Sequence, residues 1–154
     1  MAHVVFVVDQ VPVAQPRQRH ALVGGFVRNY VPKSDPVHVF KLAVVTAFKQ
    51  TGCSQFTGLV SVRIACIFPR LAGHMWKKRE QPRAWTKGKK DWDNLGKSVC
   101  DALNKFAWLD DSQVCDGRVL KIEAAGGESP KVVVRIDEVD ASPSNIARLL
   151  DWMS

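Results

Sequence analysis

Asp91 and Asp93 stand two residues apart, Asp110 and Asp111 stand side by side further on, and Asp101 lies between the two pairs. Carboxylates gathered like this repel one another unless a proton or a cation sits among them. Aspartate is a short, hard oxygen ligand. It suits Mg²⁺, which keeps several waters and takes a few carboxylates together with substrate phosphate. An ion held in this way activates water and polarises phosphoryl oxygens. Lys97, one turn after Asp93, could stabilise negative charge in the transition state. Directly before Asp91 lies the basic run from Lys77 to Lys90. Acid placed directly after base fits metal-assisted hydrolysis of a phosphate ester in a polyanion.

These side chains need elements to position them. Asp91 and Asp93 lie where a loop enters a helix. In extended chain alternate side chains point the same way, so both could face one point. Asp93 is also well placed as the helix N-cap. The helix runs to about Lys105, with Leu95, Val99, Ala102, Leu103 and Phe106 as its buried stripe. Asp93, Lys97 and Asp101 recur at i, i+4 and i+8 on the opposite face. Asp110 and Asp111 follow in a turn, where chain reversal could return them towards the first pair. Each feature has a plainer reading: Asp93 as a cap paired with Lys97, and Asp110-Asp111-Ser112 as a turn. Beside the basic run, the combination favours chemistry.

Charge along the chain supports a polyanion partner. Residues 1–90 hold 15 Lys and Arg against 3 acids, and residues 91–154 hold 7 against 12, which together give the net +7. The acids are not spread to offset the bases. The stretch 70–90 has no apolar period and reads as a flexible loop. It carries Arg70, Lys77, Lys78, Arg79, Arg83, Lys87, Lys89 and Lys90, interleaved with Trp76 and Trp85. Its cations would contact phosphates, and Trp76, Trp85 and Trp92 could stack on exposed bases or pack into a core; Trp108 reads as core.

The length predicts one domain over 1–154. No apolar run is long enough for a membrane span, and the N-terminus lacks the basic start of a signal peptide. Cys53, Cys66, Cys100 and Cys115 form no CxxC, so free thiols in a reducing cytoplasm are expected. Val4 to Val8 reads as a buried strand. A long irregular segment with Arg17, Arg19, Arg28, Gly24 and Gly25 follows. Ser34 and Asp35 cap a helix from about Val37 to Gln50, with Val39, Leu42, Ala43, Ala47 and Phe48 as its stripe. Leu59 to Phe68 is a strand. Gln113 to Ala124 and Lys131 to Val139 read as a hairpin joined through Gly126 and Gly127. A last helix, about 144–153, presents Ile146, Leu149, Leu150 and Met153. The class is α/β (α+β), with one mixed sheet flanked by helices.

The stretch DWDNLGKSVCDALNKFAWLDDSQV resembles the signature of the RusA family of Holliday junction resolvases, D-x-D-N-x-x-K-x-x-x-D-A-L followed by W-x-D-D-x-Q-V. Pro16-Arg17-Gln18-Arg19 and Lys121 are similar to family features too. The resemblance implies a small homodimeric Mg²⁺-dependent endonuclease, of a kind often encoded by phages or prophages, with Mn²⁺ as a substitute ion. It implies binding of four-way DNA junctions, two symmetric nicks and a bacterial cytoplasm as the setting. Asp91, Asp93 and Asp111 match the catalytic, metal-binding aspartates and Lys97 the catalytic lysine. Asp101, Asp110 and Lys121 are supporting residues, and Arg17 and Arg19 join the loop cations as DNA contacts. Gly96 departs from a good helix, since interior Gly costs about 1 kcal/mol relative to Ala. Lys90 stands where many relatives have Pro, and the last helix looks like an extension. Two other readings remain: a DNA binder without catalysis, and a nuclease for forks or flaps.

Overall fold

A continuous apolar, β-branched run forms the first strand, β1 (His3–Val8), which buries Val4, Phe6 and Val8 and turns Val5 and Val7 outward. The computed structural model describes residues 1–76, 78–88 and 90–151. They form a single α+β domain with a mixed five-stranded sheet and a separate two-stranded ribbon.

The segment read as irregular contains that ribbon, β2 (Arg19–Val23) against β3 (Phe26–Tyr30). Gly24 and Gly25 both have positive φ, +59° and +85°. This two-residue turn matches the twist of an antiparallel pair. Every ribbon residue but Ala21 is exposed, so no burial pattern announced it.

Helix α1 (Pro36–Gln50) begins as expected: the Asp35 carboxylate accepts the Val37 N–H at 2.9 Å, and Pro36 occupies the first turn. Its buried stripe is Val37, Phe40, Val44 and Phe48, while Val39 and Leu42 are 65% and 67% exposed. The helix is apolar on more than one side, so periodicity alone did not choose the face. Packing on β1 and α2 did.

Strand β4 (Val60–Phe68) is buried almost throughout, the mark of a central strand. The sheet order is β1, β7 (Lys131–Glu138), β4, β6 (Val114–Glu123) and β5 (Ala84–Trp85). So β6 and β7 are not a hairpin. β4 lies between them, parallel to β6 and antiparallel to β7. The parallel pair needs a crossover, which α2 (Trp92–Leu103) supplies. Both α1 and α2 join one core with Val4, Phe6, Val62, Ile64, Val134 and Ile136. The other sheet face leaves Arg63, Arg118 and Arg135 exposed. Ser142 caps α3 (Pro143–Leu150). Its Ile146, Leu149 and Leu150 are half-exposed and line a cleft of about 750 Å³ with Leu59, Ser61 and Arg63. Met153 lies outside the described residues. Among the described residues no helix is long and apolar enough to cross a membrane.

On α2, Leu95, Val99, Ala102 and Leu103 are buried, but Phe106 lies beyond the helix end and is 43% exposed under the Lys49 ammonium. Gly96 has a packing reason. A Cβ there would come within 2.8 Å of the Val119 Cγ2 on β6. Val119 is β-branched and has little rotamer freedom to yield. Gly96→Ala is therefore expected to lower stability by about 1 kcal/mol, the overpacking cost outweighing the gain in helix propensity. Urea unfolding measures it, and a rise in midpoint would refute the packing argument.

Candidate active site

Asp91, not Asp93, is the N-cap of α2, and its side chain makes no capping hydrogen bond. Asp93 follows in the first turn. Both carboxylates are exposed, and among the described residues neither accepts a hydrogen bond or an ion pair. The plainer reading of Asp93 as a cap is thus not what the structure shows. The partial positive charge of the helix N-terminus favours anions here. Chain segments fix the site from outside the helix: the Gln15 N–H donates to the Asn94 carbonyl at 2.8 Å, and the Ser98 hydroxyl donates to the Val13 carbonyl at 2.6 Å.

The charges on α2 do not pair along the helix. Asp101 takes Lys41 of α1, at 3.2 Å. Lys97 is exposed, with no hydrogen bond or ion pair among the described residues. A lysine left without a carboxylate among the described residues, one turn after Asp93, is available to a substrate oxygen.

The second acidic pair lies at the other end of α2. Asp110 accepts the Ser112 N–H at 3.0 Å, and the Gln113 side chain reaches back to the Asp110 N–H, which closes a capping box. The bond from the Ser112 N–H, with Lys105 nearby, holds the Asp110 carboxyl below its usual range. Asp110 is therefore a turn-former. Asp111 accepts the indole N–H of the fully buried Trp108 at 3.0 Å. Trp108 follows the end of α2, so this bond ties Asp111 to that end of the helix. Burial pushes the Cys100 thiol up to about 11, and the charges of Asp111 and then Asp101 add to it. Twelve helical residues span about 18 Å at the usual rise. The expected return of Asp111 to Asp91 and Asp93 does not occur within one chain. Among the described residues no three His, Cys, Asp or Glu side chains gather as a metal-binding group. Lys121 lies near the far end of β6, where its ammonium donates to the Gly88 carbonyl at 2.7 Å.

A family model described as Endodeoxyribonuclease RusA matches residues 9–137. The chain belongs to the RusA endodeoxyribonuclease family. It is also 35% identical over 144 residues to a Bacillus subtilis (strain 168) protein described as uncharacterized protein YqaN, with 88% of this chain and 96% of that relative covered. The RusA match spans both acidic pairs, Lys97 and the basic stretch before them.

In this RusA-family chain the loop 70–90 is anchored at several points. Arg70 is a staple, donating to the carbonyls of His74, Pro82 and Ala124. The buried Glu123 accepts the Leu71 N–H at 2.8 Å and meets His74 Nδ1, also at 2.8 Å. The Leu71 bond, with help from His74, holds its carboxyl below the usual range despite burial. The Gly126 N–H donates to the Gln81 carbonyl. Arg83 is taken by Glu128, with two hydrogen bonds at 2.9 and 2.6 Å. Arg17, Arg19, Lys78, Arg79, Lys87 and Lys90 are exposed, while Lys77 and Lys89 lie outside the described residues. Trp76, Trp85 and Trp92 are also exposed, against the core-packing reading. Glu123 and Gln15 were not legible as site supports. One reads as an ordinary strand end and the other as an ordinary loop residue.

Proposed function

We propose that this chain resolves four-way DNA junctions as a Mg²⁺-dependent homodimeric endonuclease that makes paired symmetric nicks. The observation that carries this reading is the pair Asp91 and Asp93 at the positive end of α2, without partners among the described residues, with Lys97, likewise unpaired among them, one turn after Asp93. The donor set fits Mg²⁺, being exposed aspartate oxygens with no competing partner among the described residues. Asp91 and Asp93 would hold the ion, and Lys97 would set its positive charge against the phosphoryl oxygens. Bound Mg²⁺ supplies an acidified water and neutralises the phosphate charge. Because α2 separates Asp111 from the first pair, a second copy is the natural source of the third carboxylate. Two such sites across a two-fold axis match the symmetry of a junction.

Exposed Arg17, Arg19, Lys78, Arg79, Lys87 and Lys90 would take phosphates, with Lys77 and Lys89 in the same run. Arg83 enters this set only by leaving Glu128. Junction, fork, flap and linear duplex compared at one salt concentration, with and without Mg²⁺, test the reading. Nicking that needs Mg²⁺ or Mn²⁺ and runs about tenfold or more faster on the junction is expected. No cleavage under any condition points to the binder, and equal cleavage of forks or flaps moves the substrate. Lys78→Gln and Arg79→Gln should each flatten the salt dependence of binding by about one counterion.

A further inference from the structure

We infer that the β2–β3 ribbon is a wedge that inserts Phe26 into the base stack at a DNA branch while Arg28 and Arg19 hold the flanking backbone. The inference rests on the reading that the chain acts on branched DNA. Phe26 is 80% exposed at the ribbon tip. Cross-strand register pairs Val23 with Phe26, Ala21 with Arg28 and Arg19 with Tyr30. Side chains alternate along a strand. Phe26, Arg28, Tyr30 and Arg19 therefore share one face of the ribbon. Leu22 and Val27 lie on the other, with His20 bonded to Asn29 at 2.6 Å. Steps of two residues are about 6.8 Å, or two nucleotide spacings along one DNA strand.

The chemistry of this face selects its occupant. Residues 10–34 contain no Asp or Glu, so nothing in the segment repels phosphate. An exposed aromatic ring next to guanidinium groups, on a ribbon narrow enough for a groove, matches how apolar side chains enter base steps. Position adds a second argument. The chain leading into β2 is pinned to α2 by Gln15 at Asn94 and by Val13 at Ser98. The root of the ribbon is thus held at the start of α2, the helix end that carries Asp91 and Asp93.

A four-way junction carrying 2-aminopurine at the branch tests this, titrated with the full chain without Mg²⁺. Unstacking raises the fluorescence of that base. The wild type is expected to produce the rise. Phe26→Ala should lose it and bind the junction at least about fivefold more weakly, as expected for lost aromatic stacking. Its affinity for linear duplex should change less than about twofold, since phosphate contacts remain. Leu22→Ala, on the other face, should behave as wild type. Retention of both signal and affinity by Phe26→Ala overturns the wedge, as does an equal loss in Leu22→Ala. Light scattering that shows Phe26→Ala as a single chain where the wild type is a dimer also overturns it, assigning the tip to a subunit contact. A wild type that binds no branched DNA removes the underlying reading too, whereas a defect confined to Phe26→Ala supports both.

Discussion

Asp93→Asn should bind a four-way junction as well as the wild type and fail to cut it. The amide keeps the shape and one oxygen but removes the charge that a hard divalent ion requires. Substitutions one shell away from a metal commonly cost about 10–100-fold, so replacing a ligand should cost about a hundredfold or more in nicking rate. Little stability is at stake, since the side chain is exposed and makes no capping bond. Gel-shift binding and single-turnover cleavage measure the two quantities, and undiminished cutting would remove Asp93 from the mechanism. Asp111→Asn extends the test. If each site draws Asp111 from the opposite chain, mixing the two inactive variants creates heterodimers with one intact site. Random pairing should then restore about a quarter of the sites. A mixture that stays silent would mean that each chain must complete its own site.

The second large effect is on stability. Trp108 is fully buried, and Trp108→Ala should cost about 3–5 kcal/mol through lost contacts and the cavity left behind. At this chain length that corresponds to roughly 10 °C in Tm, measurable by calorimetry. Trp108→Phe separates packing from polar function. It keeps most of the apolar volume and deletes the N–H that orients Asp111. That variant should stay folded and cut more slowly. Wild-type cutting would show that the indole N–H does not set the carboxylate's position.

Elements with a strong local signature were legible in the sequence. Asp35-Pro36 announced the start of α1, and the continuous apolar, β-branched run Val4 to Val8 announced β1. The signature stretch resembles its family in sequence alone, because its acids and Lys97 stand at fixed spacings in the chain. What failed depended on partners distant in sequence. Val39 and Leu42 are as apolar as Phe40 and Val44, and only the packing of α1 on its neighbours decides between them. Gly126 and Gly127 suggested a hairpin, yet β4, some sixty residues earlier, takes the place between β6 and β7. The ribbon leaves no periodic signal in the sequence because its strands bury almost nothing. The expected gathering of three aspartates failed for a simple reason. Proximity in sequence across a helix means separation in space, since α2 is rigid.

That rigidity has a regulatory side. If two copies are needed to bring the acidic groups together, a lone chain carries every catalytic side chain and remains unable to cut. Freshly made protein at low abundance would then leave the genome around it intact. Incision would begin only once enough of it had accumulated to pair on a crossover, so α2 would serve as a safety catch released by assembly.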